Sequence, residues 1–127
     1  MSLRNIFINL ITLSSLALAS SAFSAEHTKD SEADVKRHLA DGSALLLDVR
    51  EVSEWDAGHL SKAMNVPLSQ LKVGKGTNTL PKDKILYLHC QSGRRVIPAA
   101  DLLETAGFKD VRALPWGYPE LVEKKFP

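Results

Sequence analysis

The chain has 127 residues, with 16 Lys and Arg, 15 Asp and Glu, four His, a single Cys and a formal net charge of +1. Hydrophobic residues at 44% and charged residues at 24% make a globular composition, and the length suits one compact domain. A lone cysteine excludes an internal disulfide and a multi-cysteine metal cluster, and near-neutral charge excludes broad electrostatic capture of nucleic acid.

Residues 1–25, MSLRNIFINLITLSSLALASSAFSA, contain one charged side chain, Arg4. An apolar, Ser/Thr-spotted run from Ile6 to Ala19 follows, then small residues to Ala25. A charged start, a short apolar run and a small-residue exit predict a cleavable secretory leader. The run falls short of the roughly 20 apolar residues that span a bilayer, and Asn9 interrupts it, so no stable membrane insertion is expected after cleavage. The cut is expected after residue 22, 24 or 25. Cleavage after Ala25 puts bulky Phe23 at the −3 position, whereas cleavage after Ala22 or Ser24 puts Ser20 or Ala22 there. Residues 26–127 then form one exported domain, with the bacterial periplasm as the expected compartment. In such an oxidising place a lone Cys is buried and inert, joined to another chain, or a working thiol.

Glu26–Asp30 is polar and reads as frayed. Ser31 caps a helix that ends at Asp41-Gly42, with Val35, Leu39 and His38 on its inner side. Ala44–Asp48 (ALLLD) is a continuous apolar run, as in a parallel strand covered on both faces. Glu51–Ala57 reads as a short helix stopped by Gly58, Ala63–Val66 as a short strand closed by Pro67, and Leu68–Leu71 as one helical turn. Lys72–Lys84 is rich in Lys, Gly, Thr and Asn and reads as an exposed loop. Ile85–His89 (ILYLH) is the second strong strand and Cys90–Gly93 a turn. Arg95–Ala106 carries Val96, Ala99, Ala100, Leu103 and Ala106 at helical spacing, with Gly107 as its stop. Val111–Leu114 is a last strand and Pro119–Lys124 a terminal helix. Strands alternating with helices predict an α/β domain with a mostly parallel sheet, whose ligands sit beyond the carboxyl ends of the strands. Cys90 falls at that end of the Ile85–His89 strand.

The order strand, Cys90-Gln91-Ser92-Gly93-Arg94-Arg95, helix aims successive backbone N–H groups at one point. A helix start carries partial positive charge and free N–H donors, which favours an anion. A thiol in that cradle, beside Arg94 and Arg95, loses its proton more easily than a free one. Gly93 supplies a positive-φ turn. The arrangement suits sulfur transfer: a thiolate takes the outer sulfur of an anionic donor, keeps it as a persulfide and hands it on, and one cradle serves both anions. The reading requires that the sulfur is not sealed inside the core. The alternative is an inert cysteine closing a core strand, against which the glycine and two arginines weigh.

These residues sit in two longer stretches, LLLDVREVSEWDAGHLSKAMNVPL (45–68) and YLHCQSGRRVIPAADLLETAGFKDVRAL (87–114). With Asp-Val-Arg, Gly-His-Leu, Asn-Val-Pro and Cys-x-x-Gly-x-Arg in that order, the chain resembles the rhodanese-like domain family over residues 31–124, and most closely its small exported single-domain members of the phage-shock type. The resemblance implies one α/β domain with a mostly parallel central sheet flanked by helices, a persulfide on Cys90, an anion pocket formed by residues 90–95, and thiosulfate:cyanide sulfurtransferase activity. The expected partners are a small anionic donor such as thiosulfate and a cyanide or thiol acceptor, with no cofactor and no metal. The resemblance also implies mainly structural roles for Asp48 and Arg50, with Asp48 facing the active-site side. Two departures stand out. Pro98 lies early in the active-site helix and is expected to remove an N–H near the cradle, and Trp116 replaces a frequent glycine and is expected to narrow the pocket rim.

From the residues themselves, Asp48 and Arg50 read either as a pair bracing the pocket or as a fold-stabilising pair with Glu51, Glu54 or the backbone, the latter preferred. His59 reads as a hydrogen-bonded turn residue. His89, next to Cys90 on a strand, points to the opposite face and makes no Cys–His dyad. Trp55 reads as packing, and Trp116 and Tyr118 as packing or as a shield at the pocket mouth. Four scattered His and one Cys offer no metal-ligand spacing. Nothing demands a dimer, and a monomer is expected. A dual-specificity-type phosphatase needs five residues between Cys and Arg, whereas four separate Cys90 from Arg95 and position 96 is Val. A sulfur carrier or partner-binding module would keep the same cysteine. A redox thiol lacks a resolving partner.

Overall fold

The computed structural model describes residues 24–127. The leader expected over 1–25 therefore lies, apart from its last two residues, outside the described residues.

The first helix, α1 (Glu32–Ala40), starts where Ser31 Oγ accepts the Asp34 N–H at 3.1 Å. Glu32 and Asp34 sit in its first turn, where acids favour the helix dipole. There follow β1 (Ala44–Asp48), α2 (Val52–Ala57), β2 (Ala63–Asn65), α3 (Leu68–Lys72), β3 (Ile85–His89), α4 (Val96–Thr105), β4 (Val111–Ala113) and α5 (Tyr118–Glu123). The strands form one all-parallel sheet in the order β2-β1-β3-β4. The two continuous apolar runs are the two central strands, covered on both faces as such runs require.

Strand alternation divides the core. Leu47, Val49, Leu86, Leu88 and Cys90 pack with α3 and α4, while Leu46 and Tyr87 pack with Val35 of α1 and Leu121 of α5. In α4 the buried stripe Val96, Ala99, Ala100 and Leu103 faces the first cluster.

Two expectations are corrected. Residues 26–30 are not frayed. His27 forms a parallel bridge to Ala113, and the Thr28 N–H donates to the Ala113 carbonyl at 2.7 Å. Asp30 accepts from Tyr87 Oη at 2.6 Å and pairs with Arg112 at 2.8 Å. A polar segment with one bridge carries no period, which is why its order is invisible to pattern reading. Pro98 also costs the cradle nothing. Helix α4 begins at Val96, so Pro98 is its third residue, in the first turn, where an N–H has no partner within the helix.

Candidate active site

The site is built at the adjoining carboxyl ends of β1 and β3, where Asp48 and His89 are in register. Beyond β1 the chain closes on itself through charge. Arg50 Nη2 lies 2.8 Å from Asp48 Oδ2, and Arg50 Nε donates to both carboxylate oxygens at 3.1 Å. The Arg50 backbone N–H adds a bond to Asp48 Oδ1 at 2.9 Å. Both side chains are almost wholly buried, at 0% and 3% exposure. A buried pair survives only when its remaining donors are met. Gly58 O accepts from Arg50 Nη2 at 2.7 Å, and the guanidinium lies 4.1 Å from the Tyr118 ring centre. Asn65 Nδ2 donates to the carbonyls of Asp48 and Arg50 at 3.0 and 2.9 Å. The Asp-Val-Arg, Gly-His-Leu and Asn-Val-Pro motifs, separate in sequence, thus meet at one hub.

The hub reaches the cysteine turn. The Val49 N–H donates to the His89 carbonyl at 3.0 Å, and Arg50 Nη1 donates to Gln91 Oε1 at 3.4 Å. Asp48 and Arg50 therefore pair with each other, not with Glu51 or Glu54, and Arg50 also braces the turn. Asp48 stands at the active-site edge of the sheet, but its side chain lies on the face opposite Cys90, beside His89, as alternation requires.

Within the turn, the Gly93 N–H donates to Cys90 Sγ at 3.1 Å. Gly93 has φ +81°, and a Cβ there would sit 2.9 Å from the Pro115 carbonyl oxygen, so only glycine fits. The Tyr118 N–H donates to the Cys90 carbonyl at 2.8 Å. Gly117 packs directly on the Gln91 carbonyl, and a Cβ on Gly117 would overlap it. This contact is a site feature the sequence reading missed, although a glycine between Trp116 and Tyr118 was its signal. Trp116 itself does not narrow the rim. Its ring joins the second cluster, 6.0 Å from Phe126, under Lys124. Tyr118 serves as packing beneath Arg50.

The two arginines of the turn part ways. Arg95 is held bidentately by Glu54, at 2.5 and 2.8 Å, a contact across 41 positions of sequence. Hydrogen bonding to Arg95, against the opposing effect of burial, pulls the Glu54 carboxyl down to about 2. Arg94 is exposed, as are Gln91 and Ser92, and forms no ion pair with a described residue. The cation free to meet an incoming anion is therefore Arg94, while Arg95 lends a charge already half-neutralised.

The requirement of a sulfur not sealed inside the core is not met in this structure. Cys90 is fully buried, in the cluster of Leu88 and Val96. It continues the inward face of β3, and the turn folds back over it with the Gly93 amide on the sulfur. Any reagent reaches this sulfur only when the 91–94 turn yields.

His89 forms no dyad. It is fully buried, its Nδ1 lies 3.4 Å from the Cys90 carbonyl and its Nε2 3.6 Å from Asp48 Oδ2. Burial keeps its imidazole neutral, holding it below the usual histidine range against the pull of Asp48. His59 is a turn residue, donating from Nδ1 to the Trp55 carbonyl at 2.8 Å and stacked on the Trp55 ring at 3.6 Å.

Comparison with known proteins agrees with this geometry. The rhodanese-like domain family matches residues 31–124. The human single-domain sulfurtransferase TSTD1 superposes with a TM-score of 0.66 at 28% identity, covering 81% of this chain and all of that one. The uncharacterized protein YqhL of Bacillus subtilis is 43% identical over 75 residues, 59% of this chain and 58% of that protein. The putative sulfur carrier protein YrkF of the same organism is 36% identical over 72 residues, 57% of this chain and 38% of its own length. The chain thus spans little more than half, or less, of these curated relatives. With the family match running over residues 31–124, the chain belongs to the rhodanese-like domain family.

Proposed function

We propose that the chain is a thiosulfate sulfurtransferase. The observation that carries the reading is the Gly93 N–H placed on the sulfur of Cys90, the chain's one cysteine. A donor amide there can hydrogen-bond the sulfur anion that forms in each half of a transfer reaction. The Cys90 thiolate attacks the outer sulfur of thiosulfate; the S–S bond of the donor breaks, sulfite leaves with its electron pair, and Cys90 carries a persulfide. Cyanide then attacks the terminal sulfur, thiocyanate departs and the thiolate returns. Both steps balance without a cofactor or an added oxidant. Exposed Arg94 meets the donor's sulfonate end, and the turn opens to admit it.

Thiocyanate formation from thiosulfate and cyanide tests the reading, with Cys90→Ala as control. Activity lost in that variant is the expected result. Hydrolysis of a generic phosphate ester, lost in the same variant, would instead favour a phosphatase. The likeness to a putative sulfur carrier favours a second reading, a carrier that delivers its persulfide to one protein partner. Turnover with that partner, and none with cyanide or small thiols, would identify it.

The chain is further proposed to be exported to the periplasm, to lose its leader and to act as a monomer. The Ala25 backbone N lies 2.7 Å from Asp101 Oδ1 of α4. Cleavage after Ser24 makes this atom an ammonium facing a carboxylate, a stronger bond than the neutral one. Cleavage after Ala25 removes it. This contact favours Ser24 among the three cuts, and the N-terminal mass of exported protein checks it, with Ala25 expected first.

A further inference from the structure

We infer that His27 is a positioning residue for the sulfur cradle. This deepens the reading above and rests on it for its purpose, though not for its test. His27 Nε2 lies 2.6 Å from the Gly93 carbonyl oxygen, across 66 positions of sequence. A carbonyl only accepts, so Nε2 carries the hydrogen. His27 is itself fixed by its bridge to Ala113 and by the neighbouring bonds of Thr28 to Ala113 and of Ala25 to Asp101. The segment therefore ties down the turn at Gly93 and the helix that follows it at Asp101.

The effect on the sulfur follows from peptide geometry. Gly93 is the residue of the turn at which the backbone rotates most freely. A trans peptide points its N–H and C=O in opposite directions, so the orientation of the Gly93 carbonyl fixes that of the Arg94 N–H. Reversal of this unit would replace an N–H by a carbonyl oxygen on the side away from His27. Of the other turn carbonyls, three accept a backbone hydrogen bond. Cys90 O takes the Tyr118 N–H, Arg94 O the Ile97 N–H and Arg95 O the Ala99 N–H, while Gln91 O rests against Gly117. The Gly93 carbonyl has the His27 ring. With that carbonyl anchored, rotation about Gly93 φ and ψ is restricted, and this holds in place the preceding peptide unit, whose Gly93 N–H lies 3.1 Å from Cys90 Sγ. His27 touches neither the sulfur nor an incoming donor and acts through Gly93.

The test uses the single cysteine as its own reporter. Alkylation of Cys90 by iodoacetamide is followed against pH in the wild type, His27→Ala and His27→Gln. The plateau rate reports access, and the pH midpoint reports how strongly the turn favours the thiolate. The charged neighbours, Arg94 and Arg95 with its partner Glu54, and the buried His89 are the same in all three proteins. His27 is exposed, so the alanine variant is expected to fold, which its thermal melt verifies. Loss of one hydrogen bond to the turn should move the midpoint of His27→Ala upward by roughly half a pH unit or more. Glutamine, whose amide nitrogen reaches about as far as Nε2, should restore it. A midpoint unchanged in His27→Ala overturns the inference, as does a change that glutamine fails to restore. Absence of sulfurtransferase activity in the wild type would sink the proposed function and leave this readout intact.

Discussion

The neighbouring ends of β1 and β3 are finished in opposite ways. Beyond β1, Asp48 accepts four hydrogen bonds from Arg50, whose guanidinium also donates to Gly58 and Gln91. Beyond β3, Cys90 Sγ receives the Gly93 amide, and the turn around it is held from outside by Tyr118, Gly117 and His27. The first end is a buried ion-pair clamp in which Asp48 and Arg50 are committed to each other. The second is a turn held in shape at its rim, over a sulfur that must be uncovered to work.

Removing the clamp should have the largest effect. Asp48→Ala strands the buried Arg50 charge and is expected to cost about 3–5 kcal/mol in urea unfolding. A loss below 1 kcal/mol would mean that Arg50 finds water, and that the hub is less rigid than its geometry implies. Gly117→Ala strikes the rim instead. Its Cβ overlaps the Gln91 carbonyl, so the turn must shift; overpacking of this kind costs roughly 1–3 kcal/mol. Sulfur transfer should fall further than stability does, and equal losses would blur the distinction between clamp and turn.

Glu54→Gln is the milder probe. The Glu54–Arg95 pair is about one-third exposed, so its removal should change stability by less than about 1 kcal/mol. Glu54 Oε1 also accepts the Glu51 N–H at 3.2 Å to cap α2, a bond that glutamine keeps while removing the charge that holds Arg95. A lower KM for thiosulfate is expected, and an unchanged KM would leave Arg95 without a part in donor binding.

The smallest effect is a slope with pH. Burial lowers the His89 value below its ordinary 6.5, so below that pH the unfolded chain binds a proton that the folded chain refuses. This contribution to stability is present above about pH 6.5 and is lost as pH falls toward the folded value. The urea midpoint should decline between pH 7 and pH 5, and His89→Gln should decline less. Parallel declines would mean that His89 is not the group responsible.

What was legible in the sequence follows the same division. The central strands lie where the apolar runs place them, because burial on both faces leaves a local mark. Ser31, Gly58 and the α4 stripe were readable for the same local reason. Asp48 and Arg50, two residues apart, are legible as a charged pair tied to the backbone, while the glutamates offered as further partners are not used. The Glu54–Arg95 pair and the His27–Gly93 bond span 41 and 66 positions, and no periodicity announces such contacts. Segment 26–30 looked frayed because its order comes from polar tertiary bonds. The burial of Cys90 was missed because the turn was read as a cradle around an open sulfur, whereas it closes over the end of a core strand.

The central claim is that folded protein lets a donor reach Cys90 and keeps the transferred sulfur there. Intact mass after incubation with thiosulfate under native conditions measures this directly. One added sulfur atom is expected, absent in Cys90→Ala and removed by subsequent cyanide. Unmodified folded protein, with Cys90 alkylated readily only after unfolding in urea, would contradict the account.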